Sequence, residues 1–313
     1  MLSLERNTVN QLNPKPWLTS NKFFSLFNTW AKMIKLEHTL FSLPFVLISA
    51  TMSLKYMQNS SENFSFNWIV FLWIILCLFG ARSAGMTLNR IIDASIDKLN
   101  PRTANREIPA GKISKQESWY FSLAGILVLI FSAFQLPKIC QILLPIPIIW
   151  VWAYPYLKRF TWFCHFFLGT TLGGATLGAW IAVSGAFNHI APFYLFFAIS
   201  FWVGAFDIIY AIGDLDFDRE KNLNSIPAKF GKENSLRIVK FLHFLTVLLL
   251  YLFGESLSLG LFYKIGLIVF LAGLVYEQKL AAKDKLEAAF FTVNSWLGII
   301  LLLFLILDLV VQF

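Results

Sequence analysis

Nine stretches of this chain are apolar and reach or approach the 20 or so residues that a helix needs to cross a hydrocarbon layer about 30 Å thick. They lie near residues 36–55, 68–90, 118–136, 139–157, 162–187, 191–212, 237–254, 257–276 and 288–311. Inside lipid a backbone must satisfy its own hydrogen bonds, so such stretches commit the chain to a helical bundle. With 313 residues, 57% hydrophobic, only 14% charged and a mean hydropathy of +0.64, it has too little polar surface for a soluble globular protein, a disordered tail or a secreted disulfide domain. The expected fold is an all-α polytopic membrane protein, a bundle of about nine transmembrane helices. Residues 1–35 form a cytoplasmic and interfacial N-terminal segment, and residues 36–313 form one transmembrane domain.

The net charge of +8 has its explanation in the loops. Of the Lys and Arg residues, 22 fall on the side of the N-terminus and of the connections after the second, fourth, sixth and eighth spans. Only Lys55, Lys138 and Lys264 fall opposite, and Arg82 lies inside a span. This bias places the N-terminus of a multi-pass membrane protein in the cytoplasm and leaves no charge excess that calls for nucleic acid. Cys77, Cys140 and Cys164 stand in apolar runs without metal-ligand spacing and read as small hydrophobes. Phe23, Leu26, Phe27, Trp30, Met33 and Ile34 recur at helical spacing ahead of the first span, which predicts a helix lying in the membrane interface. Gly169, Gly173, Gly174 and Gly178 form two overlapping GxxxG spacings, a pattern that lets helices approach closely.

Six of the eight aspartates fall in two short segments at the cytoplasmic ends of even-numbered spans. A carboxylate at a helix centre costs roughly 2.5–3.5 kcal/mol even on lenient scales, so these groups must face water, cations or one another. At about 100° per residue, Asp207, Tyr210, Asp214 and Asp218 share a sector of about 80° if the helix runs on through them. Asn89, Asp93 and Asp97, four apart, form a second stripe. Two such stripes on one side of a bundle would repel without cations between them, and carboxylates with few other protein ligands suit Mg²⁺ shared with a substrate phosphate. Asp216 projects the other way, and Gly213 is a candidate helix end, so the role of Asp216 stays open. Asp214, Asp216 and Asp218 imitate the start of an EF-hand, but Arg219 stands where its glycine is needed and Ser225 where its glutamate is needed. Arg102, Arg106 and Lys158 accompany the acids, and Tyr154 lies four residues before Lys158. Such cations can hold phosphate oxygens that a metal leaves free.

These motifs resemble those of the UbiA superfamily of intramembrane prenyltransferases. Asn89-Arg-Ile-Ile-Asp93-Ala-Ser-Ile-Asp97 followed by Arg102-Thr-Ala-Asn-Arg106 is similar to the family's first aspartate-rich motif. Asp207-Ile-Ile-Tyr210-Ala-Ile-Gly-Asp214-Leu-Asp216-Phe-Asp218 resembles the second, in the form typical of quinone-biosynthesis members, and Tyr154-Pro-Tyr-Leu-Lys158 matches the YxxxK element. Glu37-His38 with Pro44-Phe45 looks like bacterial 4-hydroxybenzoate polyprenyltransferases and the related menaquinone enzymes, with Glu107 leaning toward the latter.

The resemblance implies Mg²⁺-dependent transfer of a polyprenyl group from a polyprenyl diphosphate to the ring of a hydroxyarene carboxylate, in a cytoplasmic-side cavity of the bundle. It implies Asn89, Asp93, Asp97, Asp207, Asp214 and Asp218 as metal ligands. Asp93, Asp97, Asp207 and Asp214 act in the reaction together with Arg102, Arg106, Tyr154 and Lys158, while Asn89 and Tyr210 line the substrate site. His38 is a candidate acceptor contact or a structural histidine. Arg82 lies two turns before Asn89 on nearly the same face; it is a candidate for binding the acceptor carboxylate, or else for an ion pair with an aspartate. The alternative from another class is a cation-coupled secondary transporter, which would place its ionisable groups near the midplane and show internal repeats.

Overall fold

The computed structural model describes residues 20–35, 39–60 and 65–311. His38, Glu37 and residues 1–19 of the N-terminal segment lie outside them. The elements are α1 (Ser20–Met33), α2 (Thr39–Ser60), α3 (Ile69–Asp97), α4 (Lys115–Phe134), α5 (Lys138–Leu143), α6 (Pro145–Ala153), a 3₁₀ turn (Tyr154–Arg159), α7 (Cys164–Ser184), α8 (Ala191–Ile212), α9 (Leu215–Glu220), α10 (Ile226–Ser256), α11 (Leu261–Ala282), a π-turn (Ala288–Val293) and α12 (Asn294–Val311). Among the described residues, eight segments are long and apolar enough to cross a membrane: α3, α4, Lys138–Arg159, α7, α8, α10, α11 and Ala288–Val311. The 22-residue α2 packs against α7 and α12.

Local chemistry sets the boundaries. Ser114 opens α4 with a capping box: its hydroxyl accepts from the Glu117 amide at 3.1 Å, and the Glu117 carboxylate accepts from the Ser114 amide at 2.9 Å. Pro145 and Pro147 cannot donate to a helical ladder, so the span expected over 139–157 is built from pieces. The span expected over 237–254 begins earlier, at Ile226, and kinks where Gly231 takes a φ of 77°.

The central helix is α8. Buried residues make up 67% of its apolar window, against 17–44% in the other seven spans. Trp202 packs on Phe45 of α2 at 4.8 Å and on Phe270 of α11 at 6.2 Å between ring centroids, which ties three helices to one core. Only one of the two GxxxG pairs mediates packing. A side chain at Gly169 would collide with the Ser200 carbonyl of α8 and one at Gly173 with the Phe196 carbonyl, whereas Gly174 and Gly178 have nothing within 4 Å.

Helix α1 differs from the expected surface helix. Trp30, Met33 and Ile34 are buried, and the Trp30 indole donates to the Thr87 hydroxyl of α3 at 3.0 Å while stacking on Phe121 of α4 at 5.0 Å. The C-terminal part of its apolar stripe is covered by protein while Phe27 stays exposed, an outcome an amphipathic pattern does not distinguish from burial in headgroups.

Candidate active site

Both aspartate motifs come to the same end of the bundle, and every carboxylate of the two except Asp216 meets a partner there. Helix α3 continues through Asp97, so Asn89, Asp93 and Asp97 do share one helix. Asp93 and Asp97 are only 3% and 4% exposed. One Asp93 oxygen accepts from Lys158 Nζ at 2.7 Å and the other from Arg159 Nη2 at 3.1 Å. Asp97 Oδ1 accepts from Arg106 Nη1 at 2.7 Å, while its Oδ2 is buried with no hydrogen-bond partner. The Asn89 amide donates to the Tyr154 hydroxyl.

The second motif is not a continuous helix face. Helix α8 ends at Ile212, Gly213 follows, and Asp214 stands at the cap position of the short helix α9 with φ −108°. The expected alignment of Asp207, Asp214 and Asp218 on one helix is therefore corrected: Asp207 belongs to α8, and Asp214 and Asp218 reach the site through a turn. Asp214 pairs with the Arg102 guanidinium through both oxygens and also accepts from the Asn100 amide at 2.8 Å. Asp207 accepts from His165 Nδ1 at 2.7 Å. The Ile226 amide donates to His165 Nε2 at 3.2 Å, so that nitrogen is the acceptor and the proton sits on Nδ1, facing Asp207. Burial pushes the Asp218 carboxyl up to about 6; a hydrogen bond with Ser225 opposes the rise and the charge of Asp214 adds to it. Asp216 is exposed.

Tyr210 lies between the two motifs. Arg102 sits over its ring at 4.3 Å, and Arg106 Nη2 lies 3.5 Å from its hydroxyl. Burial works against the charge of Arg106, but the charge and hydrogen bond of Asp97 outweigh it, so the pKa of the guanidinium rises. The segment between α3 and α4 thus clamps the first motif, through Arg106, and the second, through Arg102. Among the described residues no three His, Cys, Asp or Glu side chains gather closely enough to hold a metal unaided. One or two carboxylates plus substrate oxygens are the usual surroundings of Mg²⁺, and the unpartnered Asp97 Oδ2 is a donor of the right chemistry.

Four residues at or near the site have no motif that marks them in the sequence. Arg159 is one basic residue among many on the cytoplasmic side, His165 sits in a Phe-rich run, and Asn100 simply follows the first motif. Arg90 lies inside α3 and is only 8% exposed, with its Nε directed at the Met33 carbonyl at 3.5 Å. Arg82 is half-buried on the same helix.

Comparison with known proteins identifies the family. The model of the UbiA prenyltransferase family matches residues 46–307. The chain is 30% identical over 250 residues to the 4-hydroxybenzoate octaprenyltransferase of Photobacterium profundum, covering 79% of this chain and 86% of that protein. The protein of the same name from Vibrio campbellii is 29% identical over 244 residues, covering 77% and 85%. Among solved structures, a UbiA homolog from Aeropyrum pernix K1 superposes with a TM-score of 0.79 at 31% identity, covering 87% of this chain and 98% of that one. A UbiA homolog from Archaeoglobus fulgidus bound to GPP and Mg²⁺ shares the fold, with a TM-score of 0.63 at 19% identity over 90% of this chain and 99% of that one. These matches set the transporter alternative aside. The chain belongs to the UbiA prenyltransferase family and is a multi-pass membrane prenyltransferase.

Proposed function

We propose that the protein transfers a polyprenyl group from its diphosphate to the ring of 4-hydroxybenzoate or a related hydroxyarene carboxylate such as a naphthoate, a step of quinone biosynthesis. The observation that carries this is the meeting of both aspartate motifs at one end of the bundle, with Lys158 and Arg159 on Asp93 and with Arg102 and Arg106 linking the two motifs through Tyr210. The names of the curated relatives favour 4-hydroxybenzoate as the acceptor. Asn89, Asp93 and Asp97 on one side and Asp207, Asp214 and Asp218 on the other would hold Mg²⁺, with Asp97 Oδ2 a ready donor. The metal supplies Lewis-acid charge on diphosphate oxygens.

The chain's own cations do the rest of the electrostatic work. Each is paired with an aspartate, so each can change partner from carboxylate to phosphate as the diphosphate enters, without a net charge being buried alone. Arg102, Arg106 and Lys158 then stabilise the negative charge that grows on the leaving diphosphate as the allylic C–O bond breaks. The allylic carbon bonds to the electron-rich ring, and the displaced ring proton leaves as aromaticity returns. Tyr154 orients Asn89, and Tyr210 spaces the two arginines. Arg82, two turns deeper than Asn89 on α3, would bind the acceptor carboxylate through its planar fork, and His38 would contact the acceptor. The isoprenoid tail would run among the aromatics of the bundle interior, and the site would face the cytoplasm of a bacterial inner membrane.

Membranes carrying the protein, given Mg²⁺, a polyprenyl diphosphate and 4-hydroxybenzoate, should yield a prenylated hydroxybenzoate by mass spectrometry. If they make none, and a naphthoate acceptor also stays unmodified, the reading fails. Arg82→Lys should raise the acceptor KM far more than that of the prenyl diphosphate. Cysteines placed at Lys112 and Lys229 should resist an impermeant thiol reagent in intact cells; ready labelling of either would reverse the orientation.

A further inference from the structure

Behind the second motif lies a buried polar node that plays no part in the chemistry above. Asn294, the first residue of α12, is wholly buried. Its Oδ1 accepts from the Trp202 indole of α8 at 2.9 Å. Its amide nitrogen, with two hydrogens for three acceptors, donates to Glu277 Oε1 of α11 at 3.0 Å and shares a hydrogen between the carbonyls of Ala289 and Phe290 at 3.2 and 3.1 Å. Glu277 is also fully buried, and its other oxygen lies 3.6 Å from His243 Nε2 of α10. Polar groups of this kind are costly inside a membrane protein and tend to mark function.

The two carbonyls belong to the π-turn Ala288–Val293, and the Asn294 side chain therefore holds that turn by two of its own carbonyls. A π-turn carries one residue more than an α-turn. If it relaxed to regular helix, residues on one side would rotate by about 100° relative to the other. As built, it seats the Phe290 ring against Phe206 at 5.3 Å and against Tyr210 at 4.6 Å between centroids. Tyr210 in turn backs Arg102, the partner of Asp214. A contiguous chain of contacts thus runs from Glu277 and Trp202 through Asn294 and Phe290 to the Arg102–Asp214 pair.

We propose that Asn294, braced by Glu277 and Trp202, is a positioning residue of the prenyl-transfer site: it holds the π-turn that presses Phe290 on Tyr210 and so aims Arg102. This rests on the functional reading above for what Arg102 does, and on geometry alone for the coupling. Hydrogen exchange of the purified full-length protein, read by mass spectrometry without substrate, tests the coupling. Asn294→Ala should speed exchange over residues 288–294 and also over 210–216, leaving 89–97 as in the wild type. Phe290→Leu, which keeps the Asn294 node, should speed exchange at 210–216 only.

In the prenyl-transfer assay Asn294→Ala should lower kcat/KM about tenfold, within the range that misplacement of a distant group produces. In a Phe290→Leu background the same change should cost under about twofold, because both act through one path. Glu277→Gln, which keeps an acceptor for Asn294 and gains a donor toward His243, should stay near wild type while Glu277→Ala follows Asn294→Ala. Additive losses, or faster exchange confined to 288–294, would overturn the proposal. A wild-type protein that makes no prenylated product but shows the exchange coupling would sink the functional reading and leave the coupling standing.

Discussion

The two aspartate motifs reach the same end of the bundle by different constructions. Asn89, Asp93 and Asp97 ride on an unbroken 29-residue helix whose ladder fixes their spacing, and both carboxylates are almost fully enclosed. Asp207, Asp214 and Asp218 are divided between the interior of α8, a cap and the six-residue α9, and the side chains of Asp207 and Asp214 are 24% and 19% exposed. Their placement depends on partners from elsewhere: His165 of α7, Asn100 and Arg102 of the segment before α4, and Ser225 ahead of α10. The first motif is a scaffold and the second is an assembly. Geometry in an assembly is only as firm as its contacts, so the second motif is the one that partner mutations should loosen.

The largest effects fall on both motifs alike. Asp93→Ala, Asp97→Ala, Asp207→Ala and Asp214→Ala should each lower turnover at least about a hundredfold, the usual cost of losing an electrostatic stabiliser of the transition state. Near-normal turnover in any two of these, in protein that elutes as folded, would break the idea that the motifs share one charge site. The next test separates them. His165→Ala removes a partner that only the second motif has, and it should raise the Mg²⁺ concentration for half-maximal activity about tenfold, as loss of a residue that orients a ligand commonly does. An unchanged Mg²⁺ requirement would mean that Asp207 holds its place without help.

A smaller effect is expected from the turn itself. Alanine favours helix over glycine by about 0.8–1.0 kcal/mol, and a Cβ at Gly213 has its nearest neighbours at 3.4 Å or more, so Gly213→Ala should fold and extend α8 toward Asp214. Turnover should drop severalfold with Tm unchanged or higher. Ala94→Gly in α3 should do the opposite, lowering Tm while sparing turnover per folded molecule. If Gly213→Ala left turnover intact, the break in the second motif would have no functional weight.

The smallest effect concerns pH. Burial holds the Asp218 carboxyl at about 6, above its ordinary 3.8, so the neutral form is favoured in the fold. The associated stability is complete below pH 3.8 and is lost as pH rises through 6. In chelator-treated protein Asp218→Asn should therefore raise Tm at pH 8 by more than at pH 5. Equal shifts at the two values would show that Asp218 ionises freely, as the better solvated half of this comparison.

The bundle was legible because hydropathy reports membrane crossing directly, and the first motif because a four-residue spacing on a long apolar helix has one outcome. The second motif was legible as a cluster of acids and not as a shape. A glycine at position 213 is compatible with both a continued helix and a stop, and only the docking of Asn100 and Arg102 on Asp214 decides. Helix α1 was recognisable as amphipathic, but whether lipid or Phe121 covers Trp30 is a tertiary fact. His165 carried no signal at all, since its meaning lies in Asp207, 42 residues away.

The glycines of α7 bear on the chemistry as mechanical parts. Gly169 lies one turn beyond His165, and its bare Cα slides against the Ser200 carbonyl, two turns before Asp207. The two helices meet there as a bearing without a spacer, and the ring of His165 projects across a gap that the bearing sets. Shimming it with a methyl group would push the helices apart and widen that gap. A 2.7 Å hydrogen bond has little slack for such play. The tolerance of the site is thus machined into a residue that touches none of its polar groups.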